Sequence, residues 1–146
     1  MKLLIINNHD SFTFNLVDLI RKLNLPYDVL NVEDLKESIL ISPGPDVPRA
    51  YPQLFSMLEK YYQQKSILGV CLGHQTLCEF FGGTLYNLEK VRHGQKRILK
   101  VRSNSPLFFS LPSEFNIGLY HSWGVQKKDF PSCLEVTALC DEGVVM

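Results

Sequence analysis

A cysteine between two glycines is the strongest indication of chemistry in this sequence. Residues 69–73 read Gly-Val-Cys-Leu-Gly, follow an apolar run and precede residues at helical spacing. This pattern is typical of a nucleophile elbow, in which flanking glycines avoid collisions around a strained nucleophile. The thiol of Cys71 would lie at a helix N-terminus, where the dipole and the N–H groups favour the thiolate. The N–H of Leu72 would bind an oxyanion. We therefore predict that Cys71 is a nucleophile rather than a structural core cysteine.

A cysteine nucleophile needs a general base, usually a histidine oriented by a carboxylate. His74 lies too close to Cys71 on the same short helix to accept its proton well. His93 falls in a predicted loop, residues 91–95, and His121 is predicted to follow a strand. None of the histidines has an obvious carboxylate partner, so the sequence shows no evident base among His9, His74, His93 and His121.

Alternating strands and helices would position the cysteine. Apolar runs predict buried strands, and apolar residues at helical spacing predict the helices between them. The prediction is an α/β fold with a mostly parallel sheet and helices on both faces. Such sheets bind ligands at the carboxyl ends of their strands, where residues 7–11, 43–46 and 71–74 fall. The predicted strands are residues 3–6, 27–30, 38–42 and 66–70, followed by shorter strands at 97–101, 117–120 and 135–140.

Composition excludes several classes of protein. The 146 residues suggest one domain, and 15 Lys+Arg against 15 Asp+Glu argue against a nucleic-acid partner. No apolar run approaches the roughly 20 residues of a membrane-spanning helix, and the polar Asn7 ends the first apolar run too early for a signal peptide. The 4 cysteines form neither a C-x-x-C pair nor a zinc-ligand spacing. We expect a cytoplasmic protein without a metal, cofactor or membrane partner.

Two features do not fit a complete domain of this class. Residues 31–37 would connect two strands, but a parallel crossover needs roughly 10–12 residues including its helix. Either the connection is unusual or residues are missing there. Residues 141–143 resemble a hairpin turn, and residues 144–146 begin a strand that stops at once. We expect a single domain, residues 1–146, that is truncated at its C-terminus, with a short natural terminal strand as the alternative.

Several motifs together resemble the class I (triad-type) glutamine amidotransferases, whose fold is flavodoxin-like. Residues 69–75 resemble the nucleophile motif of that family. Residues 8–16 are similar to the N-terminal signature of one branch, the glutaminase subunits of anthranilate synthase and aminodeoxychorismate synthase. Residues 41–45 resemble that branch's oxyanion loop, and residues 92–94 and 120–123 fit later segments. The motifs occur in the right order along the chain.

The resemblance implies hydrolysis of L-glutamine to glutamate and ammonia through a thioester on Cys71. The ammonia would pass to a chorismate-using synthase subunit, in a heteromer that serves tryptophan or folate biosynthesis. The remaining site residues that the resemblance implies hold the oxyanion or bind glutamine. They are Gly44 and Leu72 for the oxyanion, and Gln75 with the backbone at Ser122 and Trp123 for glutamine.

The sequence departs from the family pattern at three places. Asp46 replaces the usual glycine of the oxyanion loop, where Asp would tolerate a positive φ at some cost. Its carboxylate would also disfavour a nearby oxyanion. Asn7 replaces a common Asp. The family's catalytic His and Glu belong to a His-Pro-Glu segment beyond Met146, so these residues alone would bind glutamine but turn it over poorly.

Three alternatives stay open at this point. The first is a catalytically silent glutamine-binding or regulatory subunit that lacks the general base. The second is a glutaminase of another branch, serving carbamoyl-phosphate or guanylate synthesis, although residues 8–16 argue against it. The third is a flavodoxin-like domain that binds a phosphate-bearing cofactor at residues 7–13, with Cys71 structural. The sequence has no G-x-G-x-x-G or P-loop to support that third interpretation.

Overall fold

A computed structural model describes residues 3–8, 11–30, 38–128 and 130–146. The chain divides into two compact units, Met1–Phe80 and Phe81–Met146. Each unit has its own sheet. The interpretation of residues 1–146 as one domain stays a prediction. Among the described residues, no helix has the length and apolar character needed to cross a membrane.

The first unit is the predicted parallel α/β fold. Its sheet has the order β2-β1-β3-β4, and every neighbouring pair is parallel. The strands end within one residue of the predicted positions; β3, for example, ends at Ile41 rather than Ser42. The strands are β1 Leu3–Ile6, β2 Tyr27–Leu30, β3 Ser38–Ile41 and β4 Ile67–Gly69; the helices are α1 Ser11–Lys22, α2 Pro52–Tyr61 and α3 Leu72–Phe80, with a 3₁₀ turn at Pro48–Ala50.

Helices cover both faces of this sheet, as predicted. Successive strand residues point to opposite faces, so the central strands β1 and β3 each contribute to two apolar clusters. On one face Ile5 and Leu40 pack with Val17 and Ile20 of α1. The other face packs against α2 and α3 and is formed by Leu4, Ile6, Ile39, Ile41, Leu54, Met57 and Leu58, with Leu77 and Phe80 at its border.

The short connection predicted at residues 31–37 lies outside the described residues. The end of the chain is described, and it has the predicted hairpin. Gly143 N–H donates to the Cys140 carbonyl at 2.8 Å, and Cys140 N–H donates to the Val144 carbonyl at 3.0 Å. Val145 forms an antiparallel bridge with Leu139.

In the second unit, two strands are longer than the sequence predicts, and the strand predicted at residues 135–140 is shorter, because only residues 138–140 pair with a neighbouring strand. Its antiparallel sheet has the order β6-β5-β7, with β5 Leu85–Val101, β6 Glu114–Val125 and β7 Ala138–Cys140. The loop predicted at residues 91–95 is wrong, because these residues belong to β5 and His93 pairs with Tyr120. An antiparallel sheet can expose one face to water, so a strand in it can carry polar side chains. In the sequence these polar residues resemble a loop. The position of Gly94, with φ 66°, coincides with a register shift between His93 and Gln95.

Candidate functional site

The carboxyl ends of β1, β3 and β4 meet at one edge of the parallel sheet. These three strands are direct neighbours, so the segments that follow them converge. A Cβ atom on Gly44 would overlap the side chain of Leu72 and lie 3.0 Å from the Cβ atom of Asn8. The structure therefore brings together the three segments that the sequence predicted to form a site.

The backbone at Cys71 has the strained conformation expected of a nucleophile elbow. Its φ is +55°, in the left-handed region that non-glycine residues seldom adopt. A side chain on Gly69 would overlap the backbone of Gly73. A side chain on Gly73 would overlap the carbonyl oxygen of Ile41 and lie 2.8 Å from its Cβ atom. The turn therefore requires both glycines, and Cys71 is exposed at its tip.

Helix α3 begins directly after the cysteine. Gly73 N–H donates to the Val70 carbonyl and Gln75 N–H to the Cys71 carbonyl, both at 3.0 Å. Leu72 is the first helical residue, so no carbonyl within the helix can accept its N–H. Gln75 is buried in the first turn of α3, four positions after Cys71. The arrangement places an N–H donor and an amide side chain near the thiol.

The loop after β3 has few backbone donors. Its residues 43–46 read Pro-Gly-Pro-Asp, and proline has no N–H, so only Gly44 and Asp46 carry one. Asp46 has a φ of +69°, and its Oδ1 accepts the N–H of Val47 at 3.0 Å. The positive φ considered for Asp46 is therefore present. Tyr51 Oη donates to the carbonyl of Pro45 at 3.0 Å.

A buried polar network, which sequence reasoning missed, anchors this loop. Asn8 N–H and Thr13 Oγ1 both donate to Ser42 Oγ, at 3.2 and 3.1 Å. The Asn8 side-chain amide donates to the Ser42 carbonyl at 2.8 Å, and Ser42 Oγ donates to the Pro43 carbonyl at 3.0 Å. Buried polar groups need partners, and these three residues supply one another. The sequence did contain a signal for this network, because Thr13 is a polar residue on the apolar face of α1 and therefore needs a buried hydrogen-bond partner.

Ser122 and Trp123 lie in the second unit, within β6. Trp123 pairs with Asn87 and His121 with Arg92, so residues 88–91 of β5 bulge opposite Ser122 alone. Strand β6 is also at the edge of its sheet. Edge strands of this kind can bind an extended ligand through their backbone.

His121 lies inside β6, not after a strand as predicted. Its Nδ1 lies 2.8 Å from the Trp123 carbonyl oxygen. Because a carbonyl can only accept, Nδ1 carries the proton. His121 Nε2 is buried and has no hydrogen-bond partner among the residues that the structure describes. His74 lies in α3, His93 is exposed in β5, and His9 is outside the described residues.

The cysteines divide into two environments. Cys71 and Cys133 are exposed, whereas Cys78 and Cys140 are buried. Burial raises the pKa of the Cys78 thiol above its usual value, and the nearby Glu79 carboxylate raises it further. Cys78 should therefore be less reactive than a cysteine with an ordinary pKa.

Comparisons with known proteins identify the family of this chain. The family model described as Glutamine amidotransferase class-I matches residues 4–146. The chain is 88% identical to a Haemophilus influenzae protein named "Putative anthranilate synthase component II", and the alignment covers 100% of this chain and 79% of that protein. That alignment has 153 positions, so some positions of the relative have no counterpart among these 146 residues.

More distant relatives carry two kinds of name. The chain is 35% identical to the anthranilate synthase component 2 of Pseudomonas aeruginosa, over 93% of this chain and 72% of that one. It is 33% identical to the aminodeoxychorismate synthase component 2 of Escherichia coli, over 99% of this chain and 81% of that one. The solved structure of a glutamine amidotransferase from Thermotoga maritima has the same fold, with a TM-score of 0.80 at 18% identity, over 99% of this chain and 69% of that one.

Proposed function

Because the chain belongs to the class-I glutamine amidotransferases, and is of the anthranilate or aminodeoxychorismate synthase component II type, we propose that it is a glutaminase subunit. It hydrolyses L-glutamine at Cys71 and delivers ammonia to a chorismate-using synthase. The observation that carries this proposal is the exposed Cys71 at φ +55° between two glycines that tolerate no side chain. A structural cysteine would need neither exposure nor backbone strain.

The proposed reaction has two steps at one thiol. The Cys71 sulfur attacks the side-chain amide carbon of glutamine, and the carbonyl oxygen becomes an oxyanion. The N–H groups of Leu72 and Gly44 stabilise that oxyanion. The proton lost by the Cys71 thiol is transferred to the amide nitrogen, and collapse of the intermediate then breaks the C–N bond, expels ammonia and leaves a glutamyl thioester. Water then attacks the thioester, releases glutamate and restores the thiol.

Three further residues are proposed to hold the substrate. The buried Gln75 contributes an amide group near the thiol, and the backbone at Ser122 and Trp123 binds the amino-acid end of glutamine. The hydrogen bond from His121 to the Trp123 carbonyl keeps that part of β6 in one conformation. Glutamine has no net charge, which suits a chain with a formal net charge of zero.

A second candidate is a glutamine-binding subunit without turnover. It is favoured by His121, whose Nδ1 faces a backbone carbonyl and not a carboxylate. Both candidates bind glutamine, but only the first hydrolyses it. A measurement of glutamine turnover therefore distinguishes them.

Reconstitution with a synthase tests the proposed function. We expect the protein to co-purify with a chorismate-using synthase and to enable glutamine-dependent formation of anthranilate or 4-amino-4-deoxychorismate. Association with the synthase should raise the rate of ammonia release from glutamine. Ammonium salts supplied directly to the synthase are the control, because they bypass this chain. Binding of glutamine and of the synthase without ammonia release would favour the second candidate.

Asp46→Asn is expected to raise the rate of glutamine hydrolysis. Asp46 is exposed, and its Cα atom lies within about 7 Å of the Cα atom of Gly44, the residue that carries the proposed oxyanion donor. At that distance in water, repulsion between unit charges is about 0.6 kcal/mol. Asn tolerates the positive φ as Asp does, so only the charge changes. We expect kcat to rise about 2- to 4-fold at low salt, with a smaller gain at high salt.

Asp141→Asn is the matched control for that measurement. Asp141 is also exposed, but it lies in the turn after β7. It should leave kcat unchanged at every salt concentration. An unchanged kcat for Asp46→Asn at low ionic strength would show that the carboxylate does not influence the oxyanion.

A further inference from the structure

Only two backbone N–H groups are available in the loop that follows β3, and each belongs to a peptide whose carbonyl accepts a side-chain hydroxyl. Gly44 N–H shares its peptide with the Pro43 carbonyl, which accepts Ser42 Oγ at 3.0 Å. Asp46 N–H shares its peptide with the Pro45 carbonyl, which accepts Tyr51 Oη at 3.0 Å. The orientation of each donor is therefore coupled to one hydroxyl.

We propose that Ser42 is a positioning residue that orients the Gly44 N–H toward the oxyanion through its hydrogen bond to the Pro43 carbonyl. The inference rests on the proposed glutaminase function. Ser42 itself does not contact the substrate in this account. It acts on the reaction through the peptide between Pro43 and Gly44.

The hydrogen-bond partners of Ser42 determine where its proton points. Asn8 N–H can only donate to Ser42 Oγ, and Thr13 Oγ1 donates to it as well. Both acceptor positions of the hydroxyl are then used. Its single proton is directed to the Pro43 carbonyl. The network therefore specifies one direction for this hydrogen bond.

The orientation of the Pro43 carbonyl fixes the orientation of the Gly44 N–H, because both groups belong to the same planar peptide. The C=O and N–H groups of a trans peptide are coplanar and point in opposite directions. A Pro43 carbonyl held against Ser42 Oγ turns the Gly44 N–H away from the sheet interior. A rotation of this peptide would break the hydrogen bond and remove the donor from the site. No proline ring restrains ψ at Pro43 or φ at Gly44, so the hydroxyl supplies the restraint.

The anchor is rigid because it is buried. Ser42 is 0% exposed, Thr13 is 1% exposed and Asn8 is 4% exposed. Water therefore cannot replace any of the three partners without opening the core between β1, β3 and α1. An oxyanion donor that is oriented before the reaction costs no reorganisation when the charge develops.

Ser42→Ala in the protein in complex with its synthase tests this role. Loss of a whole oxyanion donor lowers kcat by about 10²- to 10³-fold, and a donor that is only misoriented should cost less. We expect kcat for glutamine to fall about 10- to 100-fold, while KM changes less than about 3-fold, because the oxyanion forms only in the transition state. Ser42→Cys keeps the side-chain size with a weak donor, and should give an intermediate kcat even if Ser42→Ala folds poorly.

Two controls separate positioning from stability. Thr13→Val removes a buried hydrogen bond to the same Ser42 Oγ, but valine offers no oxygen that could accept the Ser42 proton. The Pro43 carbonyl therefore stays its acceptor, and we expect lower thermal stability with kcat within about 3-fold of wild type. Tyr51→Phe removes the restraint on the neighbouring peptide, and it should also retain kcat within about 3-fold, because Gly44 keeps its own restraint.

The outcomes distinguish the two proposals. A wild-type complex that does not hydrolyse glutamine would overturn the proposed function and this inference together. Wild-type hydrolysis with an unchanged kcat in Ser42→Ala and Ser42→Cys would overturn the positioning role alone. Equal losses of kcat in Ser42→Ala, Thr13→Val and Tyr51→Phe would also overturn it, because they would indicate a general requirement for a stable loop.

Discussion

Cys71→Ser is expected to abolish both covalent labelling by an electrophilic glutamine analogue and hydrolysis of glutamine. The serine hydroxyl keeps the size of the side chain but is a far weaker nucleophile at neutral pH than a thiolate at a helix N-terminus. Loss of a nucleophile commonly lowers kcat by about 10⁴-fold or more. Mass spectrometry of the intact protein reports the label, and ammonia release reports kcat. L-Glutamine in excess should protect wild-type Cys71 from the label.

Cys133→Ser provides the matched control, because Cys133 is the second exposed cysteine. It should retain labelling, glutamine protection and kcat. A small, nonspecific alkylating reagent should modify both Cys71 and Cys133 but spare Cys78, whose pKa is raised by burial. Labelling of Cys133 or Cys78 by the glutamine analogue in place of Cys71 would contradict the assignment of the nucleophile.

Gly73→Ala is expected to have the largest effect on stability. The new methyl group would overlap the carbonyl oxygen of Ile41 and lie 2.8 Å from its Cβ atom, and Ile41 is 0% exposed in β3. Neither the strand nor α3 can move without disturbing the core, so we expect a loss of about 3 kcal/mol in the free energy of unfolding. For a chain of this size that loss lowers Tm by about 10 °C. Thermal and urea unfolding measure it.

Gly118→Ala tests whether that cost is specific to the elbow. A Cβ atom on Gly118 would meet only the ring of Tyr120, with 3.2 Å to its Cε2 atom, and that ring is exposed. The side chain can rotate away, and the unfolded chain loses conformational entropy, so the free energy of unfolding should stay within about 1 kcal/mol of wild type. Similar losses for the two variants would show that the close approach of α3 to β3 is not the cause.

Gly73→Ala should also lower the activity of the folded fraction. A shift of α3 by about 1 Å away from β3 would displace both Cys71 and the Leu72 N–H, and a misplacement of that size can cost about 10²-fold in rate. Stability and activity should therefore fall together at this position. In Cys71→Ser, by contrast, activity should fall without a comparable change in Tm.

The fold and the elbow could be predicted because their signals are local. Apolar runs of strand length, separated by residues at helical spacing, indicate β1, α1, β3 and α2 without reference to the rest of the chain. The elbow reads Gly-x-Cys-x-Gly because five consecutive residues must turn sharply from a strand to a helix. The strain at Cys71 and the need for both glycines follow from that turn.

The length of β5 could not be predicted in the same way. Residues 91–95 contain little apolar surface, and their polar side chains resemble those of a loop. Their strand conformation depends on pairing with β6, which extends from Leu85 with Val125 to Lys100 with Glu114. When a strand is stabilised mainly by backbone pairing with its neighbour, its own side chains give only a weak sequence signal for a strand.

By itself, the sequence determined the α/β class, the strands that converge on Cys71 and the family to which the chain belongs. Only the tertiary structure decided how the loop at Pro43 is held. Ser42 meets Asn8 and Thr13 across separations of 34 and 29 residues, and no sequence pattern specifies which buried hydroxyl faces which carbonyl. Nucleophile chemistry needs residues that are neighbours in the chain, whereas orientation of an oxyanion donor depends on contacts between distant elements packed into one core.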